Sequence, residues 1–405
     1  MCKFSTCYCL ILKKICDIMC LGEKMRRYKT IILGCGASGV MCALSTKEKS
    51  LAIIDSASKP AKKLLVTGNG RCNLTNKNVN SSFYNTNIDQ FLRKFSNRDA
   101  LSFFENLGLV SYADEDGRVY PFSNSAKSVV DVLTANLSQK ADLFLGEKIE
   151  KIDYENKKFV IKTTNEELEA EKLVVSTGGN SEKILNDLKI KYKKFTPSLV
   201  ALKCDGTKDL NGIKLSNVLV TAKCENEKKS EIGEILFREN GLSGIVIFNL
   251  SAIFSRKNNF NGEIFVDIMP NVKEKDLQET LKQRQNLVRA NADKFFVGMF
   301  QNAVANEIFK QAKINTNKKT DRLTDEEIKK IAYAIKNLHF DVCGSLENNQ
   351  VFSGGVSLED LDDNLMSKEV HNLFFAGEIV DVDGVCGGYN LQWAWTSGYI
   401  VGKSI

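Results

Sequence analysis

Histidine is almost missing from this 405-residue chain, which carries only His339 and His371. A zinc site would have to be built from cysteine alone, and no H-E-x-x-H helix or Ser-His-Asp set is present. The twelve cysteines do not suggest a metal either. Cys2, Cys7, Cys9, Cys16 and Cys20 all precede Gly22, the others are scattered without C-x-x-C pairs, and no metal is expected. Long apolar runs are also lacking: Leu10–Leu21 is broken by Lys13, Lys14 and Asp17, and makes neither a membrane span nor the core of an export signal. Reduced thiols without an export signal lead us to expect a cytoplasmic protein with no membrane partner. There is no internal repeat, no low-complexity tract and no second G-x-G-x-x-G to announce a nicotinamide domain. The net charge of +6 permits an anionic partner without requiring one. Residues 1–24 read as a disordered extension or a misassigned start ahead of Met25, which N-terminal sequencing of the native protein decides.

What is present begins at Tyr28–Leu33, a short β-rich run followed by Gly34-Cys35-Gly36-Ala37-Ser38-Gly39 and a helical pattern through Val40, Met41, Ala43 and Leu44. This is G-x-G-x-x-G between strand and helix, where glycine lets a dinucleotide pyrophosphate approach backbone amides. A second apolar strand, Leu51–Ile54, ends in Asp55, placed to hydrogen-bond ribose hydroxyls and to disfavour a 2′-phosphate. The unit should hold FAD or NAD.

At the other end, Leu373–Ala376 reads as a strand running into Gly377-Glu378, a loop with Gly384, Gly387 and Gly388, and a helix beginning near Tyr389-Asn390. Glycines admit a flat ligand, and the first turn of that helix offers unpaired N–H groups to an anion. Between these ends, Lys62–Asn76 is dense in hydrogen-bonding groups: Arg71 suits a pyrophosphate as a fork, and Asn73 and Thr75 suit a ribityl or flavin edge. Cys72 reads as a small core residue rather than a reactive thiol.

GCGASG, KKLLVTGNGRCNLTN, GRVYPFS (117–123), VVSTGGNS (174–181), GLSGIVIFNLS (241–251), FSGGVSLEDL (352–361) and FFAGEIVDVDGVCGGYNLQWAWTSG together resemble the BaiN/YhiN-type family of FAD-binding proteins, within the glutathione-reductase-like flavoproteins. The resemblance runs from about Tyr28 to the C-terminus. It implies an α/β fold in which a discontinuous Rossmann-like FAD-binding domain, 25–194 and 343–405, is interrupted by an insert at 195–342 with a small β-barrel (195–270) and a helical part (271–342). It also implies that non-covalent FAD meets Gly34, Gly36, Ala37, Ser38, Gly39, Asp55, Lys63, Arg71, Asn73, Thr75, Thr177 and Gly178 from one side, and Gly377, Glu378, Gly388, Asn390 and Leu391 from the other. The chain departs from its relatives after the TGG motif, where a glycine-rich segment is replaced by EKILNDLKIKYKK at 182–194, leaving the adenine side more open.

Elsewhere, Ser96-x-x-Asp99 and Thr324-x-x-Glu327 are capping boxes, and Ser125 caps a helix through Val129, Val130, Leu133 and Leu137. Residues 148–173 alternate as a β-meander, and 197–269 read as several short strands. Residues 272–340 are helical with a modest basic excess, read chiefly as a solvated face. A flavin supplies hydride transfer, while the protein positions a substrate and provides a proton. Arg118 and Tyr389 are the candidates for orienting a carbonyl and giving that proton, and His371 reads as a loop residue. From the resemblance three functions stay open. One is reduction of an activated C=C conjugated to a carbonyl in a small molecule, with NAD(P)H as a transient reductant. Another is a flavin-dependent ribosomal RNA uridine reductase, a dihydrouridine synthase. The third is an amine oxidase or a non-catalytic redox-sensing flavoprotein.

Overall fold

The computed structural model describes residues 25–179, 181–288, 290–346 and 351–405, so the extension expected at 1–24 and Asn180 of the TGG motif lie outside it. At its centre is β1 (Arg26–Leu33), with β2 (Leu51–Asp55) parallel on one side and β9 (Glu167–Val175) parallel on the other. Beyond β2 comes β6 (Asp142–Leu145), and β18 (Leu373–Phe375) joins β9, giving five parallel neighbours in the order β6-β2-β1-β9-β18. Ile31, Ile32, Leu33, Ile53, Ile54, Val174, Val175 and Phe375 are fully buried. Such unbroken apolar runs are what a parallel sheet covered on both faces requires. The sheet is completed by β8 (Lys158–Thr163), antiparallel to β9, and β7 (Ile149–Glu155), antiparallel to β8, and with β9 these make the meander anticipated over 148–173.

Helix α1 (Ala37–Ser45) packs against the C-terminal helix, Tyr389–Ser404, and against α4 (Ala126–Leu137), whose buried face is Val129, Leu133 and Leu137. Ser125 stands at the N-cap of α4, but its hydroxyl makes no capping bond; instead the Ser128 hydroxyl donates to its carbonyl. Between these lie α2 (Asp89–Lys94) and α3 (Asn97–Asn106), the latter opened by the reciprocal Ser96/Asp99 box. A small antiparallel sheet of β3 (Thr75–Asn76), β5 (Arg118–Pro121) and β4 (Ser111–Ala113) lies beside them.

The chain leaves this unit through α5 (Glu182–Asp187) and β10 (Lys193–Ser198), and returns along β17 (Val351–Gly355), antiparallel to β10. The insert between them holds a closed six-stranded barrel in the order β11 (Leu202–Cys204), β14 (Gly241–Ser243), β13 (Glu227–Arg238), β12 (Lys214–Cys224), β15 (Gly262–Asp267), β16 (Leu338–Ser345). Two features differ from the short strands anticipated over 197–269. Ile245–Lys257 is a helix, α6, entered through Gly244 at φ +113°, and its apolar side chains are buried on several faces. The barrel is closed by β16, which follows the helical part and crosses the 342/343 division drawn from the sequence. That helical part comprises α7 (Glu274–Leu287), α8 (Asn302–Ala312) and α9 (Asp325–Lys336), with the Thr324/Glu327 box at the head of α9. Phe237, Phe254, Phe295, Phe309 and Phe340 give the insert a core of its own. No helix of the described residues is long and apolar enough to cross a membrane. The C-terminal helix is α10 (Tyr389–Ser404).

Candidate functional site

Four neighbouring parallel strands end side by side and release Gly34, Asp55, Thr177-Gly178 and Gly377 at the same edge of the sheet. Ligands of open parallel sheets bind at such carboxyl ends. Here a cleft of about 390 Å³ is lined by Gly34, Asp55, Thr177, Gly179, Ser181 and neighbouring residues. The turn Gly34–Gly39 is shaped by two close approaches. Gly34 sits at φ +97°, and a Cβ on Gly39 would lie 2.0 Å from the Gly34 carbonyl oxygen and 2.6 Å from Ser176 Oγ. Gly36, in contrast, faces open space, with nothing within 4 Å of where its Cβ would stand, so a ligand can approach its backbone. Asp55 accepts from Cys35 N at 2.6 Å and from Ala57 N at 2.7 Å, which holds its carboxylate at the lip of the cleft.

Lys62–Gly70 is a run of 3-10 turns broken at Gly68 and Asn69, both left-handed. Lys63 and Arg71 are exposed. The Arg71 guanidinium lies over the Tyr120 ring at 4.2 Å and has no carboxylate partner among the described residues, leaving its charge available. Lys63 Nζ stands beside Gly178, 3.4 Å from where a Cβ would be placed. Cys72 is fully buried, and burial pushes its thiol up to about 12, so it is the core residue its neighbours suggested.

The N- and C-terminal stretches meet directly. Thr75 Oγ1 donates to Gln392 Oε1 at 2.6 Å, Trp395 Nε1 to the Leu74 carbonyl at 2.8 Å, and Asn76 Nδ2 to the Gly387 carbonyl at 3.1 Å. Gly388, at φ +97°, opens α10 against the Thr75 backbone. The backbone N–H groups of the first turn, Tyr389, Asn390 and Leu391, have no earlier helical carbonyl to bond and can serve an anion. Asn73 Oδ1 beside them is buried and has no hydrogen-bond partner among the described residues. An acceptor in that state calls for a donor from a bound group. The open face of Gly36, the orphaned Asn73 oxygen, the unpaired Arg71 and two helix starts together fit an anionic dinucleotide with a hydrogen-bonding ring system.

Not every side chain singled out from the sequence is directed to a ligand. Thr75 spends its proton on Gln392. Asn390 bonds Gly384 with both ends of its carboxamide, Nδ2 to the carbonyl and Oδ1 from the amide, each at 2.8 Å, and so shapes the loop. Glu378 accepts from Gly179 N and Phe352 N, both at 2.9 Å, tying the TGG turn to β17. Arg118 is paired with Asp114 at 3.0 Å and with Asp116, within the hairpin turn that leads into β5. Tyr389 stacks on Phe83 with ring centres 4.5 Å apart; burial raises its phenol, which therefore keeps its proton at neutral pH. Its hydroxyl makes no hydrogen bond among the described residues.

Sequence reasoning passed over several residues that hold the site. Ser176 Oγ donates toward the Leu33 and Gly34 carbonyls, and Ser397 Oγ accepts from Gly377 N at 2.8 Å. Asp381 and Asp383 are buried and bonded by Lys193 and Arg256, with burial raising the Asp383 carboxyl against the pull of Arg256. The signal for the last pair was the D-x-D spacing just ahead of the glycine loop. On the barrel exterior Glu263, His339 and Asp341 bring their ligand atoms within 4.8 Å of one another, but Glu263 also pairs with Lys223 at 2.9 Å.

Residues 28–404 match the HI0933-like protein Rossmann domain. Among curated proteins, the chain is 29% identical over 404 residues to a 3-dehydro-bile acid delta(4,6)-reductase of Clostridium scindens, covering 92% of this chain and 98% of that one. It is 26% identical over 406 residues to a ribosomal RNA dihydrouridine synthase of Haemophilus influenzae, with 93% and 98% covered. Among solved structures, it aligns with a 3-ketosteroid-delta4-(5alpha)-dehydrogenase from Rhodococcus jostii RHA1 at a TM-score of 0.47 and 11% identity, covering 95% of this chain and 98% of that one.

Proposed function

The chain belongs to the HI0933-like family and is an FAD-dependent oxidoreductase; from that premise we propose that it uses NAD(P)H to reduce a C=C bond conjugated to a carbonyl in a small molecule. The observation that carries the reading is the convergence, at one edge of the sheet, of the Gly34–Gly39 turn, Asp55, the Lys62–Asn76 segment and the head of α10, in a chain whose relative is named for reducing a bile-acid double bond. Bound FAD supplies the hydride chemistry. In this reading Asp55 holds the adenosine ribose, and Lys63, Arg71 and the head of α1 hold the pyrophosphate. The head of α10 would face the flavin ring and favour its negatively charged reduced form, while Asn73 Oδ1 would accept a hydrogen bond from the bound group. Tyr389, whose phenol holds its proton at neutral pH, is the proton donor to the carbon of the C=C that does not receive the hydride. Arg118 orients the substrate carbonyl, provided one of its two carboxylate partners gives way.

The test is anaerobic. The yellow protein is titrated with NADH and with NADPH until the flavin bleaches, and conjugated enones are then added. Restoration of absorbance is expected. Tyr389→Phe should keep its flavin but slow that restoration by about 10²-fold or more, the usual worth of a positioned proton donor. A flavin that neither nucleotide bleaches, or that no enone reoxidises, counts against the reading. Arg71→Ala should weaken FAD retention roughly tenfold, as loss of one charge-assisted contact implies; unchanged affinity in a fluorescence-quenching titration removes Arg71 from the site.

The dihydrouridine synthase relative favours a second reading, since the uracil ring also carries an activated C=C. Under it, ribosomal RNA rather than an enone reoxidises the flavin, and retention on RNA falls steeply with salt.

A further inference from the structure

The segment Gly241–Ser251 belongs to the family resemblance, yet the cofactor reading leaves it unused. Within it Asn249 lies on α6 and is buried. Both ends of its carboxamide are committed: Oδ1 accepts from Cys386 N at 2.8 Å, and Nδ2 donates to Glu231 Oε1, on β13, at 2.7 Å. Helix α6 reaches β13 this closely because of Gly233, where a Cβ would lie 2.4 Å from Val246 Cγ2. A hydrogen-bonded link therefore runs from the barrel, through α6, to the peptide just before Gly387-Gly388. Glu231 accepts at one end of the carboxamide and Cys386 N donates at the other, so together they hold the Asn249 NH₂ toward Glu231 and its oxygen toward Cys386. Burial raises the Glu231 carboxyl, and the Asn249 amide draws it back toward the charged form. The Cys386 thiol is itself inert, pushed up to about 12 by burial, so the use made of this residue is its backbone amide.

We propose that Asn249, oriented by Glu231, is a positioning residue through which the insert sets the Cys386 peptide and with it the head of α10. This rests on the reading that the head of α10 faces the flavin. Three variants of the flavin-loaded protein test it: Asn249→Ala, Glu231→Ala and Glu231→Gln. Amide hydrogen exchange is followed in peptides covering 383–391 and in the central strands, and the flavin midpoint potential is measured alongside. Loop exchange should rise about tenfold in Asn249→Ala and Glu231→Ala, the loss expected for one buried hydrogen bond, with the strands unchanged. The potential should move in the same two. Glu231→Gln should behave as the parent in both, because its amide oxygen accepts the same bond. Unchanged loop exchange in Asn249→Ala, or equal acceleration in the strands, overturns the positioning role. Glu231→Gln matching Glu231→Ala overturns the orienting role of the acid. A loosened loop with an unmoved potential overturns the flavin-facing reading of α10, separately from the hydrogen-bonded link.

Discussion

Gly388→Ala is expected to yield a folded protein that has lost its flavin. At φ +97° an alanine pays the left-handed penalty of roughly 1–2 kcal/mol. The greater effect is steric. Its Cβ would lie 2.5 Å from the Thr75 carbonyl oxygen, 2.6 Å from the Thr75 carbonyl carbon and 2.8 Å from Asn73 Oδ1. The two Thr75 atoms are backbone and cannot turn aside, so α10 and β3 have to part. The Thr75–Gln392 bond stretches with them, and the first-turn amides leave the Asn73 oxygen. We expect FAD affinity to fall by about a hundredfold or more, the combined loss of two or three contacts, read as the flavin-to-protein absorbance ratio after gel filtration and by titration with FAD. Gly206→Ala is the control. It too has a positive φ, +81°, but its Cβ meets nothing within 4 Å, so it should cost only backbone strain and stay yellow. A Gly388→Ala protein as yellow as the control would mean that the two segments do not jointly form the cofactor site.

Gly398→Leu should act on the fold itself. Gly398 and Gly402 are one turn apart on α10 and face Ser38 and Cys42, one turn apart on α1. A Cβ on Gly398 would lie 2.4 Å from the Ser38 carbonyl oxygen, and one on Gly402 2.4 Å from the Cys42 carbonyl oxygen. The helices thus touch backbone to backbone, and a leucine must drive them apart by the width of a side chain. Overpacking of this kind costs about 3 kcal/mol or more, a large share of the ~5–15 kcal/mol that holds a typical protein folded. The expected result is insoluble protein, or a soluble fraction with a clearly lower urea midpoint. Gly398→Ala should show a smaller effect in the same direction. A Gly398→Leu protein of parental midpoint would contradict the close helix contact. The two substitutions part company in a useful way: the first removes the cofactor from a standing fold, the second removes the fold.

Much of this candidate site could be proposed from the sequence because its signals are contiguous. The strand, glycine turn, helix and terminal acid of residues 28–55 follow from periodicity and from backbone freedom at Gly34. The capping boxes at Ser96 and Thr324 were legible for the same reason, since donor and acceptor are three residues apart. Residues 148–173 alternate by two and form a meander, because a sheet half open to water sorts its side chains face by face. By contrast, the run IVIFNLSAIF of α6 is apolar without a clean period, and only its burial among the barrel, the two-stranded crossing and the cofactor loop makes it a helix.

The residues themselves determined that a dinucleotide turn opens the chain and a glycine-bounded helix closes it. Tertiary structure alone decided that Thr75 would spend its hydroxyl on Gln392, 317 positions away, that Glu378 would serve two amides, and that Asn249 would reach Cys386. The physical reason is that local torsions and spacing act within a few residues, whereas the partner of a buried polar group is whichever group packing delivers to it, and nothing in the neighbouring sequence records which that will be.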